Sequence, residues 1–528
     1  GRPRPTSTSS RPGTTGRPGT PGATAGGTAP PTTAPPPSTA PPTTAGPPDW
    51  AALARSLTGK LVLPAGASYA TDKQEYNPRF DGTNPAAIAY CQTAADVQRC
   101  VAFAHRHGVE PVARSGGHSF AGYSTGSGLV IDVGPMGTVR IDAGAGVARV
   151  GAGARLIDIY SAMANAGVGL AGGSCPTVGI AGLALGGGMG VVDRRYGLTC
   201  DALRSLDVVT ADSRLLTCGP GAEPDLYWAS RGGGGGSFGV ATSFTFGVHP
   251  AGPLALFTLE WPFAQAAGVL GAWQAWGPGT PDELWSNCQL LATGGAGGSG
   301  GSGGTPRLRV TGVYVGTAGS LAGVLAPLVR AAGGSPSYRF VGPEAYLRAM
   351  LIEAGCEGDS VAQCHLPTHN SAGVLTRSPF AAKSDFLTEA APAPGVAAVV
   401  GAVEERQASP ELGSGGIVFD LTGGAINRVA PGATAFVHRD TAFLVEYSAG
   451  WATGSPAGVA AANQAWLERA WSAMRPYASG QAYQNYVDPG LADWKQAYYG
   501  ANLPRLMRVK GAYDPDDVFR SPQGIPLP

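Results

Sequence analysis

The chain has 528 residues and 53.2 kDa, with 36 basic and 36 acidic side chains. Its zero formal charge gives no pull toward nucleic acid or an anionic membrane surface. Charged residues make up 14%, well under the usual ~25%, while 43% apolar residues and ten tryptophans suffice for a substantial core. No apolar run reaches the roughly 18 residues of a membrane span, and length alone predicts three to four domains of roughly 150 residues.

Residues 1–48 hold 14 prolines, 12 threonines and, as their only charges, four arginines. Such a segment cannot bury enough apolar surface to offset the entropy of ordering, so it reads as an extended linker of the kind that forms O-glycosylated stalks on exported proteins. The start at Gly1 rather than Met fits removal of a targeting peptide or tag. A folded region is expected from Asp49. Pro85–Tyr90 reads as a short buried strand. Thr93 caps a helix whose Val97, Val101 and Ala104 recur at helical spacing until Gly108 ends it. Strands follow at Val109–Ala113, Leu129–Val133 and Val147–Gly151, with a helix at Leu156–Ala166. No G-x-G-x-x-G stands between a strand and a helix, which disfavours the dinucleotide fold built on that motif.

The composition changes after His249 and Pro250. FTLEWPF, LWSNCQLLA and RLRVTGVYVG alternate as strands, and Gly294–Gly304 between the last two reads as a mobile hairpin tip. Helices are expected near Ser320–Ala332 and Phe380–Glu389. GGIVFDLTGGAIN and TAFVHRDTAFLVEYSAGW read as further strands. The domains are therefore 49–250, a broad antiparallel sheet with helices at 251–478, and a segment 479–528 that packs back on the first.

Three glycine-rich segments, Arg114–Gly128, Gly172–Gly190 and Arg231–Gly239, fall in the first domain. Glycine loops let backbone N–H groups converge on an anion without Cβ obstruction, and three of them suit a diphosphate-bearing cofactor better than coincidence does. The eight cysteines are even in number, with Cys91/Cys100 and Cys356/Cys364 as candidate pairs in an exported protein.

PVARSGGHSFAGYS (111–124) resembles the flavin-attachment loop of the berberine-bridge-enzyme-like oxidases of the vanillyl-alcohol-oxidase flavoprotein superfamily. GGSCPTVGIAGLALGGGMGVVDRRYGLTCD (172–201) resembles that family's second loop and RGGGGGSFGVAT (231–242) its third. YQNYVDPGL and YYGANLPRLMRVKGAYDPDDVF (483–519) resemble its C-terminal signature. The resemblance runs in order from about residue 75 to the end. It implies an α+β fold in which a split PCMH-type FAD-binding domain carries an inserted substrate domain of antiparallel sheet plus helices.

The same resemblance implies bicovalent FAD, with a ring nitrogen of His118 on the flavin 8α-methyl carbon and the Cys175 sulfur on C6; imidazole and thiolate are nucleophiles suited to an electron-poor ring. The cofactor-binding residues it implies are Arg114, Ser115, Gly116, Gly117 and Ser119 in the first loop. The second loop supplies Pro176, Thr177, Val178, Gly179, Gly182, Gly187 and Gly188, the third Gly239 and Val240, and the C-terminal signature Asn485 and Tyr486. Val178 matches a position beside the flavin where a small residue admits dioxygen, which implies an oxidase producing hydrogen peroxide. Tyr483 is the first choice for the base that takes the substrate hydroxyl proton, and its phenol needs activation from an ordinary pKa of about 10. Glu446 is second, sharing a strand face with Leu444. Two departures weaken a plant phenolic-alcohol reading: Met189 replaces a Tyr of many plant relatives, and Ala181-Gly182-Leu183-Ala184 replaces a more polar Gly-Gly-His.

Competing readings fare worse. Gly117-His118-Ser119-Phe120-Ala121 lacks the second glycine of a hydrolase elbow and the helix after it. Cys364, His365 and His369 fit no closed zinc set, with Pro367 between them. An inert exported binding module would not require His118, Cys175 and Tyr483 together. The expectation is a secreted or cell-surface FAD-dependent oxidase of an alcohol or saccharide, with O2 as acceptor, no metal, no nucleic acid and no membrane span. A secondary metabolite is the alternative substrate.

Overall fold

The computed structural model describes residues 46–293 and 304–528. The Pro/Thr-rich stretch up to residue 45 and nearly all of the expected hairpin tip lie outside the described residues. The described residues form one compact unit.

The helix expected after Tyr90 spans Ala94–His107. The Thr93 side chain accepts from the Asp96 N–H while the Asp96 carboxylate accepts from the Thr93 N–H, which satisfies two orphan donors reciprocally. Gly108, at φ +64°, ends it in the left-handed conformation that glycine adopts without a Cβ penalty. The strands beside it form a four-stranded sheet in the order Lys60–Val62, Ala87–Tyr90, Leu129–Asp132, Pro111–Arg114. Its last three strands run parallel. A five-stranded antiparallel sheet follows, ordered Val139–Asp142, Val147–Gly151, Val240–Gly247, Leu203–Val209, Leu215–Cys218. One apolar core joins both sheets and takes in Ala482, Leu491, Tyr498, Leu506, Phe519 and Ile525 from the chain's end.

The second large core belongs to a seven-stranded antiparallel sheet. Its order is Tyr338–Glu344, Leu254–Trp261, Arg307–Val315, Leu284–Ala292, Gly415–Leu421, Phe443–Gly450, Phe380–Leu387. Helices Ala266–Trp276, Ala318–Ala331, Ala393–Gln407 and Ala457–Met474 cover one face. Strand alternation makes that face apolar: Leu284, Cys288 and Leu290, Ile417, Phe419 and Leu421, and Phe443, Val445 and Tyr447 all point into the helix-covered core. The intervening residues point the other way, into the cavity described below.

Phe380–Leu387 is a strand, whereas Phe380–Glu389 reads as a helix from its sequence. The segment pairs residue for residue with Phe443–Gly450. Two ion pairs also pin it: Lys383 to Asp488 at 2.7 Å and Asp385 to Arg475 at 2.5 Å. Tertiary pairing overrides local preference here. Of the candidate cysteine pairs, Cys356–Cys364 is bonded. Cys91 and Cys100 are free, with their sulfurs 3.9 Å apart in the core.

Candidate active site

The three glycine-rich segments meet on one cavity of about 720 Å³. The first two touch backbone to backbone. A Cβ on Gly116 would lie 2.2 Å from the Gly179 nitrogen, and one on Gly179 would lie 2.1 Å from Ser115 Oγ. Ser115, Gly117, Ser119, Val178 and Gly182 line the cavity beside them, as does Arg114, whose Nε donates to Asp132 at 2.6 Å. The third segment contributes Gly234, Gly235, Gly236, Gly239 and Val240. Space opens beyond Gly182, where a Cβ would meet nothing within 4 Å.

Gly187 and Gly188 are not on the cavity wall, against the expectation from sequence. Both have positive φ, and side chains there would strike Phe436 and Thr199 respectively. They serve close packing behind the site.

His118 and Cys175 lie on a shared wall that also holds Pro176, Thr177 and Tyr76. His118 Nε2 is 2.7 Å from Thr177 Oγ1, and its ring stacks on Tyr76 at 4.0 Å. Burial, then the nearby Arg155 and His369, push the imidazole down to about 3, which keeps it neutral. Cys175 is the exposed member of the free cysteines among the described residues. Its exposure is to the cavity, whose protein walls and Glu446 push the thiol up to about 11.

Opposite stands the uncovered face of the seven-stranded sheet. Trp285, Asn287 and Gln289, Val418 and Asp420, and Leu444 and Glu446 project from three adjacent strands, with Glu353 at the end of helix Tyr346–Glu353. Burial and the Asp420 charge raise Glu446 to about 7, while its contact with the Tyr486 hydroxyl pulls the other way. The Tyr486 ring stacks on Phe120 at 4.9 Å and meets Tyr483 edge-on at 5.1 Å. Its phenol is held well above the ordinary range by burial and by Glu446 and Asp420.

Tyr483 also borders the cavity but is 2% exposed. Its oxygen accepts from the Gly188 N–H at 3.0 Å, the Met189 N–H at 3.3 Å and Asn485 Nδ2 at 2.9 Å. Burial pushes the phenol up to about 12, and these donors pull against it. Asn485 Nδ2 also donates to the Leu183 carbonyl, tying the C-terminal segment to the second glycine loop.

The residues of the competing readings are engaged elsewhere. Ser119 Oγ accepts from the Tyr123 N–H. Cys364 is in the disulfide, His365 Nε2 is 3.0 Å from Asp158, and His369 Nδ1 accepts from Arg155. Sequence reasoning missed Tyr76, Trp285, Asn287, Gln289, Glu353 and Asp420. The alternating polar residues of LWSNCQLLA and IVFDL were a legible signal, but one that does not say which face meets a cavity.

A family model described as FAD binding domain matches residues 85–219, and one described as berberine and berberine like matches 482–526. The xylooligosaccharide oxidase of Thermothelomyces thermophilus is 31% identical over 475 residues, 86% of this chain and 90% of that protein. The chitooligosaccharide oxidase of Gibberella zeae is 30% identical over 479 residues, 87% of this chain and 90% of that protein. Among solved structures, Physcomitrella patens BBE-like 1 superposes with a TM-score of 0.81 at 32% identity, covering 90% of this chain and 98% of its own.

The chain belongs to the berberine-bridge-enzyme-like family of FAD-linked oxidoreductases. Its mixed sheets and helices are the PCMH-type FAD-binding architecture of that family. The cavity suits FAD on this chain's own terms: glycine backbones that would clash with any Cβ line it, open space lies beyond Gly182, and two nucleophilic side chains share one wall.

Proposed function

We propose that this protein is a secreted oxidase carrying FAD bicovalently on His118 and Cys175, which oxidises a saccharide hydroxyl and passes the electrons to O2 as H2O2. The carrying observation is that one cavity brings both attachment residues and all three glycine segments against a wall of Trp, Asn, Gln and carboxyl side chains. Thr177 engages His118 Nε2 and leaves Nδ1 for attachment. The relatives named as oligosaccharide oxidases favour a sugar over other alcohols. Trp285 offers an apolar face for a sugar ring, while Asn287 and Gln289 offer hydrogen bonds to its hydroxyls. The disulfide and the Pro/Thr-rich stretch favour an oxidising, extracellular setting.

Flavin held by the glycine loops would supply a two-electron acceptor for the carbinol hydride, and the small Val178 side chain on the cavity wall would leave room for O2. The chain's own contribution is the proton. Tyr483 is the first choice from sequence and its three N–H donors favour a phenolate, but at 2% exposure it has little access to substrate, so its part is to position the Tyr486 ring and the loop at Gly188. Tyr486 and Glu446 form the better base. The substrate hydroxyl gives its proton to the Tyr486 oxygen as the Tyr486 proton moves to the Glu446 carboxylate, a relay that needs no free phenolate.

Acid precipitation tests the attachment. Flavin should stay with the pelleted parent, His118→Ala and Cys175→Ala, and be lost from the double variant. Release from the folded parent would overturn bicovalent attachment, and a folded parent that never carries flavin would overturn the oxidase reading. A peroxide-coupled sugar screen on the loaded protein then tests the substrate class.

A further inference from the structure

We propose that Tyr76 is a positioning residue for flavin attachment at His118, its ring holding the imidazole in the orientation that attachment requires, an inference that rests on the bicovalent reading above. The two rings stack with centroids 4.0 Å apart and 19° between their planes. Tyr76 borders both the main cavity and the smaller recess that His118 and Cys175 share. It is half-buried and belongs to none of the apolar cores, so core packing does not account for an aromatic residue there.

A histidine needs such a surface when one particular nitrogen must react. The outer torsion of its side chain is broad and roughly two-fold, so a hydrogen bond at one nitrogen does not fix the ring plane. The contact of Nε2 with Thr177 Oγ1 at 2.7 Å selects which nitrogen is engaged. The stack on Tyr76 sets the plane in which the other nitrogen lies, because turning the imidazole out of it forfeits the face contact.

The Tyr76 ring is itself fastened from both sides. Its N–H donates at 2.9 Å to the carbonyl of Gly117, the residue before His118. Arg377 Nε donates to the Glu75 carbonyl at 2.6 Å, and Asn77 Nδ2 and Arg79 both donate to the Phe380 carbonyl, at 2.9 Å and 3.0 Å. The Phe380 ring meets Tyr76 edge-on at 6.4 Å. Tyr76 is thereby tied to the first glycine loop and to the start of strand Phe380–Leu387, and its ring cannot retreat from His118 without breaking those ties.

In the attachment, His118 Nδ1 forms a bond to the 8α carbon while one proton leaves that carbon and one leaves the imidazole. The electron pair of the broken C–H bond goes to the flavin ring and on to O2, which with the two protons becomes H2O2. Nothing in this exchange needs the Tyr76 hydroxyl. It needs Nδ1 at a fixed distance and angle, and a misplacement of about 1 Å costs such a reaction up to roughly 10²-fold.

The full chain with Cys175→Ala isolates His118, since covalent flavin then reports on that residue alone. Tyr76→Leu in this background, which removes the ring, should cut the share of bound flavin that stays in the acid pellet at least several-fold, with a matching loss of the FAD-bearing mass of the His118 peptide. Tyr76→Phe, which keeps the ring, should attach flavin as the parent does. With His118→Ala, where Cys175 alone carries flavin, Tyr76→Leu should leave the covalent share unchanged, whereas a merely structural role would lower it in both backgrounds. An undiminished share at His118 in Tyr76→Leu, or equal losses at His118 and Cys175, overturns the proposal and leaves the bicovalent reading standing. Loss in Tyr76→Phe also overturns it, since the hydroxyl and not the ring would then be what counts. If Tyr76→Leu holds no flavin at all, Tyr76→Gln is read in its place by the same criteria. Flavin bound to Cys175→Ala but never covalent, with Tyr76 in place, overturns attachment at His118 and the proposal with it.

Discussion

At the scale of single residues, the site separates two tyrosines that the motif Tyr-Gln-Asn-Tyr makes look equivalent. Tyr483 is anchored by two backbone N–H groups and an amide, whereas Tyr486 has a carboxyl beside it whose affinity for protons has been raised to about 7. A carboxyl raised from 4.5 to about 7 is an acid below that pH and a base above it. Turnover should therefore climb as pH rises through about 7 and level off beyond. Glu446→Gln should remove that limb and lower kcat by roughly 10²- to 10⁴-fold, the usual worth of a positioned base. Tyr486→Phe should fall in the same range. Tyr483→Phe should cost flavin occupancy or stability more than it alters the pH profile. Stopped-flow flavin reduction across pH 5–9 separates these outcomes, and an unchanged profile in Glu446→Gln would exclude the relay.

Among the elements, the glycine loops are constrained by contact as much as by torsion. Gly179 has an ordinary φ of −80°, so any L-residue could adopt its backbone. What it lacks is room, since a Cβ would press into Ser115 Oγ at 2.1 Å and the Gly116 nitrogen at 2.3 Å. Gly179→Ala should push the first two loops apart and destabilise the protein by about 1–3 kcal/mol, with a larger loss of bound flavin. Thermal unfolding and the visible absorbance per chain read both effects. Gly182→Ala is the control: nothing lies within 4 Å of its Cβ position, so stability should hold.

For the whole molecule, the strand Phe380–Leu387 is where the seven-stranded sheet meets the chain's end. Lys383 is 6% exposed and lies 2.7 Å from Asp488 and 2.9 Å from Glu468, so it joins that strand to the C-terminal segment and to helix Ala457–Met474. Breaking a buried pair strands the remaining charge. Lys383→Met should lower stability by about 3–5 kcal/mol on this account, and Lys383→Met with Asp488→Leu should recover much of it, as chemical denaturation would show. Full stability in the single variant would mean that the bridge is not what holds the strand.

Local chemistry was enough for several features: the capped helix from Ala94 to His107, the alternating strands at Leu284–Ala292 and Phe443–Gly450, and the glycine-rich loops around His118 and Cys175. These depend on neighbours in the chain, on torsions, periods and short motifs, and such information is contained in any window of ten to thirty residues. The strand at Phe380, the packing duty of Gly187 and Gly188, the pairing of Cys356 but not of Cys91, and the placing of Asp420 and Glu353 on the cavity depended on parts of the chain distant in sequence. Local preference could not compete with pairing to Phe443–Gly450, and alternation marks two faces of a strand without saying which one four helices will cover. That choice was made by the fold: it buried the apolar face, and so turned the carboxyls, amides and Trp285 of the other face toward the glycine loops.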